Sequence, residues 1–283
     1  MKIYCLLIIA NLFHAGLTAQ TSSTVEIKDI VYRQVGDWEG KLDIYFPDNN
    51  HKNALVFYVH GGGWTHGSKN NEYEKIKVFI ENGYTVANIG YRVAKEAIAP
   101  AAVEDVQCAL GYLLKNAKKY NIDKNKVILM GGSAGAHLAL LVGLQSPDPI
   151  FGCSLGPDRI AISGIISKYG PTDLLTWDPA TNKQKGSSAW LGDRINDTTF
   201  LKTLSPVNFV SSSTKNIPVL FIHGSDDRSV PIEQSIVLYD KLKKNTNRTE
   251  LHVVEQGKHG NFNPDETEIM NQKMINFIRS CVE

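Results

Sequence analysis

Lys126-Val127-Ile128-Leu129-Met130-Gly131-Gly132-Ser133-Ala134-Gly135-Ala136-His137-Leu138 is the stretch that decides the reading of this chain. Val127 to Met130 is an unbroken apolar run, the pattern of a strand buried on both faces of a parallel sheet. Ala134 to Leu144 contains no breaker before Gly143 and reads as a helix. Between them stands Gly131-x-Ser133-x-Gly135. On a strand–turn–helix this pattern makes a sharp elbow that lifts a serine hydroxyl above the sheet edge, at a helix N-terminus that favours developing negative charge. Gly131 and Gly135 leave the room that a β-carbon would take from the neighbouring strand or helix.

Working outward, the flanking segments alternate strand and helix. Val25–Arg33 and Leu42–Phe46 read as an antiparallel opening pair, and Ala54–Val59 as a buried strand. A helix over 72–82, a strand over Tyr84–Ile89 and a long amphipathic helix over Ala97–Tyr120 follow. Beyond the elbow come strands at Ile160–Ser167, Val219–Ile222 and Leu251–Val254, with helices at Ile232–Lys243 and Asp265–Arg279. This order predicts an α/β fold, a mostly parallel central sheet with helices on both faces. Residues 172–217 are irregular, with one short helix at most, and read as a lid, a substrate-binding insertion or a plain surface excursion.

A serine nucleophile needs a base, an orienting acid and an oxyanion hole. His60-Gly61-Gly62-Gly63 follows the Ala54–Val59 strand, so the N–H groups of Gly62 and Gly63, with that of Ala134, can face a substrate oxygen. A phosphate loop is excluded, because Gly67-Ser68-Lys69 lacks the Gly-Lys-Ser/Thr order. Two aspartates, Asp226 and Asp227, compete for the acid after the Val219–Ile222 strand. His259 lies between glycines after the last strand and is the candidate base. The order Ser133, Asp, His259 is that of the α/β-hydrolases. His60, His66, His137, His223 and His252 read as structural or solvated, and no His-Glu-x-x-His cluster suggests a metal.

The motifs together resemble the α/β-hydrolase superfamily, within its His-Gly-Gly-Gly serine esterases, in the carbohydrate-esterase and feruloyl-esterase-like group related to hormone-sensitive lipase. His60 to Trp64, Asn88 to Arg92, Gly131 to Gly135, Tyr169 to Leu174, Ser205 to Val207, His223 to Pro231 and Gly257 to His259 carry the resemblance. It places the acid three residues before the Val of Val230-Pro231, hence at Asp227. The triad it implies is Ser133, Asp227 and His259, with an acyl-enzyme and no cofactor. The opening region is short for a lipase of that group. The expected substrate is a short-acyl carboxylic ester with carbohydrate as a candidate alcohol. An amidase or small peptidase is the alternative, and a non-catalytic binding protein a more distant one. Trp64, Trp177 and Trp190 are the candidate substrate-binding side chains, since indole pairs an apolar face with a polar handle.

The 283 residues, 21% of them charged and with a net charge of +1, suit one domain and give no field that would draw nucleic acid. Residues 1–19 combine Lys2, an apolar run from Ile3 to Phe13 and a small residue at Ala19, the pattern of a signal peptide. That leaves 20–283 as a single hydrolase domain, secreted or periplasmic, with no membrane anchor. Cys108, Cys153 and Cys281 show no metal spacing; three cysteines allow at most one disulfide within the chain, and they read first as buried, inert thiols.

Overall fold

The structure, a computed structural model, describes residues 23–49, 51–145, 150–153, 161–177, 185–245 and 247–283. The signal-peptide reading of 1–19 lies outside the described residues. Strands β1 (Thr24–Val35) and β2 (Trp38–Pro47) form the antiparallel hairpin, and β3 (Asn53–Val59) begins the parallel part. Next come α1 (Tyr73–Glu81), β4 (Thr85–Ile89), α2 (Ala101–Lys115), β5 (Ile122–Gly132), α3 (Ala134–Gln145) and β6 (Ile162–Lys168). The chain continues through α4 (Lys185–Leu191), α5 (Thr198–Thr203), β7 (Val219–Gly224), α6 (Glu233–Lys244), β8 (Thr249–Val254) and α7 (Pro264–Val282).

One sheet of eight strands results, in the order β1-β2-β4-β3-β5-β6-β7-β8. The β1–β2 and β2–β4 pairings are antiparallel and all others parallel. The two-residue period sorts each strand between two cores. On β3, Leu55, Phe57 and Val59 join the larger core with α2 and α3, whereas Val56 and Tyr58 face α1 and α7. β5 is central, and α3 packs against it with every residue buried. That uniform burial is why the helix shows no polar face in its sequence.

Two expectations are corrected. The helix expected over Ala97–Tyr120 spans only Ala101–Lys115. Pro100 disfavours helical backbone in the residue before it, and Ala117 and Tyr120 are buried in the turn that follows, so their apolar spacing records burial, not helix. Cys108 and Cys153 are not free thiols but form a disulfide, with 4.9 Å between their Cα atoms. Cys108 lies on α2 and Cys153 on a distant loop, a proximity that spacing along the chain does not reveal. Cys281 is free.

Residues 172–217 are more regular than expected, carrying α4, α5 and short 3-10 turns at 192–194, 206–209 and 212–214. The described part is anchored in the larger core by Trp177, Trp190, Phe200, Leu201 and Leu204. Among the described residues no helix is long and apolar enough to cross a membrane.

Candidate active site

The elbow forms because β5 must turn into α3 within one residue. Ser133 takes φ 54°, the left-handed region that costs an ordinary side chain energy. A β-carbon on Gly131 would overlap the backbone of Gly135, and one on Gly135 would overlap the carbonyl of Val59. Neither position admits another residue without moving β3 or α3. The turn is tied down on both sides: the Ser133 N–H donates to the Lys168 carbonyl at 2.8 Å, and the His137 N–H to the Ser133 carbonyl at 3.1 Å.

Three loops at the ends of parallel strands converge on this serine. His259 Nε2 stands 2.8 Å from Ser133 Oγ, and His259 Nδ1 stands 2.7 Å from Asp227 Oδ2. With Asp227 ionised, Nδ1–H donates to the carboxylate and Nε2 is left to accept the Ser133 hydroxyl proton. The other carboxylate oxygen accepts the N–H groups of Ser229 and Val230, each at 2.9 Å. Burial would raise the Asp227 carboxyl, but hydrogen bonds from His223 and His259 and the Val230 N–H prevail and hold it well below the usual carboxylate range. Asp226 is exposed, and its N–H is spent on the Gly257 carbonyl.

His223, which reads as structural in sequence, turns out to touch the site. It is fully buried, with Nδ1 2.7 Å from Ser235 Oγ and Nε2 2.8 Å from the Val230 carbonyl. Nε2 also lies 3.3 Å from Asp227 Oδ2. The Val230 carbonyl only accepts, so Nε2 carries the proton, and the same N–H faces the carboxylate. The available signal was its position at the end of a strand, four residues before Asp227. His60 and His137 fit their structural reading: His60 stacks on Tyr91 with centroids 4.2 Å apart, and His137 Nε2 bonds the Leu204 carbonyl at 2.7 Å.

The glycine loop after β3 faces the serine. Gly62 and Gly63 have φ 118° and 57°, and a β-carbon on Gly62 would overlap the His66 carbonyl. The N–H groups of Thr65 and His66 close the loop on the Gly62 carbonyl, each at 3.1 Å. Ala134 is the first residue of α3, so its N–H has no partner within the helix and is available to an anion. Gly61, Gly62, Gly63, Ser133 and His259 line one cleft of about 590 Å³. Tyr169 closes part of it, its ring edge-on to His259 at 4.9 Å.

The structure does not bring the three tryptophans to that cleft. Trp64, Trp177 and Trp190 are 1%, 2% and 0% exposed. Trp64 stacks on Trp190 at 4.6 Å with 9° between the planes, and both rings meet His137 edge-on. The substrate-binding role expected of all three is corrected by their burial. Trp64 has φ 58°, and its ring lies in the larger core, where large flat side chains gain most from burial. Among the described residues no group of three or more His, Cys, Asp and Glu side chains is placed to hold a metal ion.

A mostly parallel sheet with a serine elbow on its central strand, and histidine and aspartate on later strand ends, defines an α/β-hydrolase. Within that class the chain belongs to the BD-FAE family, whose model matches residues 42–242. It is 28% identical to the esterase LipC of Mycobacterium tuberculosis over 67% of this chain and 48% of LipC. It is 29% identical to LipQ of the same organism, over 78% of this chain and 52% of LipQ. The chain thus spans about half the length of these curated relatives. Among solved structures it is similar to an acetyl ester-xyloside bifunctional hydrolase from Caldicellulosiruptor lactoaceticus. The TM-score is 0.75 at 27% identity, over 93% of this chain and 99% of that one. A bifunctional GH43-CE protein from Bacteroides eggerthii matches with TM-score 0.77 at 24% identity, over 91% of this chain and 38% of that one.

Proposed function

We propose that this chain is an exported serine hydrolase of short-acyl carboxylic esters. The observation that carries the reading is the unbroken hydrogen-bonded chain Ser133–His259–Asp227 opening on a glycine-walled cleft. Ser133 Oγ attacks the acyl carbonyl while His259 Nε2 takes its proton. Asp227 holds the imidazole in the tautomer this requires and stabilises the imidazolium. The N–H groups of Gly62, Gly63 and Ala134 receive the oxyanion. Collapse of the tetrahedral species expels the alcohol, which takes the proton back from His259, and water then cleaves the acyl-enzyme by the same relay. The names of the relatives, esterases and an acetyl ester hydrolase, support the ester class. The last of these also supports carbohydrate as the alcohol.

Export is part of the proposal. The apolar run after Lys2 and the small residue at Ala19 support it, as does the Cys108–Cys153 disulfide, a bond that persists in oxidising compartments. The mature chain then starts at Gln20, which N-terminal sequencing of the native protein checks; an intact Met1 in a cytosolic fraction counts against it. The ester reading is tested with an aryl acetate and a serine-directed phosphonate. Wild type turns over the one and is labelled by the other, while Ser133→Ala does neither. Turnover in Ser133→Ala near the wild-type rate would sink the relay.

A further inference from the structure

The cleft that holds Ser133 and His259 does not end at the glycine loop. It continues to Tyr58, Glu72 and Lys75, whose polar groups the proposed relay does not use. We infer that this arm is the subsite for the alcohol half of the ester, and that its Glu72–Lys75 pair binds a neutral polyhydroxy alcohol, a pyranoside, by its hydroxyl groups. The inference rests on the ester-hydrolase reading above and adds to it the leaving-group chemistry.

Glu72 is a nearly buried carboxylate at the start of α1, with its side chain 9% exposed. Such a group is costly unless donors surround it. The Tyr58 hydroxyl donates to Oε2 at 2.7 Å, and Lys75 Nζ lies 2.9 Å from both oxygens. Tyr58 is itself 1% exposed, so the carboxylate is held from below by a rigid β3 side chain. These contacts leave acceptor capacity on the carboxylate and a donor on the ammonium, since a carboxylate accepts at about four positions and an ammonium carries three protons. A fixed acceptor beside a fixed donor matches neighbouring hydroxyl groups, each of which both donates and accepts. An aryl or alkyl alcohol gains nothing from them.

The rest of the arm is equally polar. Thr65 and His66 line it, with Thr65 Oγ1 and His66 Nδ1 3.1 Å apart. Tyr169, edge-on to His259, lines the same cleft and supplies an aromatic wall of the kind that packs against the apolar face of a sugar ring. The Glu72–Lys75 pair carries no net charge of its own, which suits a neutral alcohol. The alternative role for Glu72 and Lys75 is a structural ion pair one turn apart at the start of α1.

Full-length wild type and Lys75→Met are compared on p-nitrophenyl acetate and on a mono-O-acetylated methyl xyloside, reading the ratio of the two kcat/KM values. Lys75 is 53% exposed, so its own side chain carries little of the packing, and the Tyr58 hydroxyl still donates to Glu72 in the variant. The ratio of sugar ester to aryl ester is expected to fall about tenfold or more, chiefly through KM, because charged hydrogen bonds to hydroxyls are lost. Glu72→Gln, which keeps the shape and removes the charge, should move the ratio the same way. An unchanged ratio in both variants would overturn the subsite and leave a structural ion pair. A wild-type preference for an acetylated uronate over the neutral xyloside, lost in Lys75→Met, would overturn the neutral-alcohol assignment. Failure of the ester reading has a separate sign, no turnover of the aryl acetate by wild type. In that case titration of methyl xyloside into Ser133→Ala decides the subsite alone: binding weakened by Lys75→Met upholds it, and no binding overturns it.

Discussion

Asp227 and Lys168 are two buried charges at the C-terminal ends of neighbouring strands, treated in opposite ways. Asp227, just past β7, is 5% exposed and accepts hydrogen bonds from two imidazoles and two backbone N–H groups. Its charge is satisfied, and its carboxyl is held well below the usual range despite burial. Lys168 ends β6 and is also 5% exposed, yet its ammonium makes no hydrogen bond or ion pair among the described residues. Its pKa is lowered to about 8, chiefly by burial and also by the Lys75 charge, with Glu72 opposing them in part. Burial alone thus assigns no role to a charge. What separates the two is the number of donors or acceptors already in place. The satisfied charge is a fixed electrostatic element ready for a neighbouring imidazole. The other has the Glu72 charge to draw on, which does not offset its burial.

The sharpest way to break this contrast is to remove the satisfied charge. Asp227→Asn keeps the shape but offers an amide in place of a carboxylate, which favours the wrong tautomer of His259. We expect kcat on an aryl acetate to fall by about 10⁴. Asp226→Asn, on the exposed neighbour, should leave kcat within about twofold, the ordinary effect of a solvated loop carboxylate. The reverse ranking would mean that the 2.7 Å contact to His259 does not orient the base.

The unsatisfied charge predicts a change in stability of the opposite sign. The unfolded chain holds the Lys168 proton up to its ordinary 10.5, whereas the folded chain loses it near 8. Between those values the unfolded state binds more protons, so this group makes stability rise with pH through the window and fall as pH drops through about 8. Lys168→Met fills the same space without the charge. It should raise unfolding free energy at neutral pH by on the order of 3 kcal/mol and remove that part of the alkaline rise. Urea unfolding of both proteins across the window measures it. A less stable variant would reveal a favourable partner for the ammonium.

How much of this was legible follows from how local each signal is. The elbow, the glycine loop and the order of strands are local: Val127 to Gly135 imposes its own geometry, and the apolar runs impose theirs. His259 and the Asp226–Asp227 pair stand out because each lies at the end of a strand and fits a known order, while the choice of Asp227, which meets the imidazole, rests on the family resemblance alone. His223 was missed because its contact with Asp227 depends on how the chain turns between β7 and α6. The tryptophans were misplaced because exposure is a property of the packed whole. Trp64 follows an open loop, yet its ring stacks on Trp190, 126 positions away in sequence. The Cys108–Cys153 bond was hidden for the same reason. Glu72 and Lys75 looked like an ordinary charged helix start, and only the folded sheet places Tyr58 beneath them.

The smallest expected effect concerns the acyl group. Trp64, a candidate substrate-binding side chain in the sequence, is buried and sets no limit on its length. The described cleft sets one. Outside the arm given to the alcohol, and apart from Tyr169, its described lining is glycine or polar: Ser133, Ser229 and His259 beside Gly61, Gly62, Gly63, Gly132 and Gly260. A long acyl chain gains about 0.8 kcal/mol per methylene only where it leaves water for apolar surface. Here it would displace water from hydroxyl, imidazole and backbone groups and gain little. Across p-nitrophenyl esters from about C2 to C12, kcat/KM should therefore peak at about C2–C4 and fall about tenfold by C8, some 1.4 kcal/mol of transition-state binding. The leaving group is constant through this series, so the result reads the acyl side alone and is independent of the Glu72–Lys75 arm. A maximum at C8 or beyond would show an apolar acyl groove, and the polar walls around Ser133 would then serve the alcohol side only.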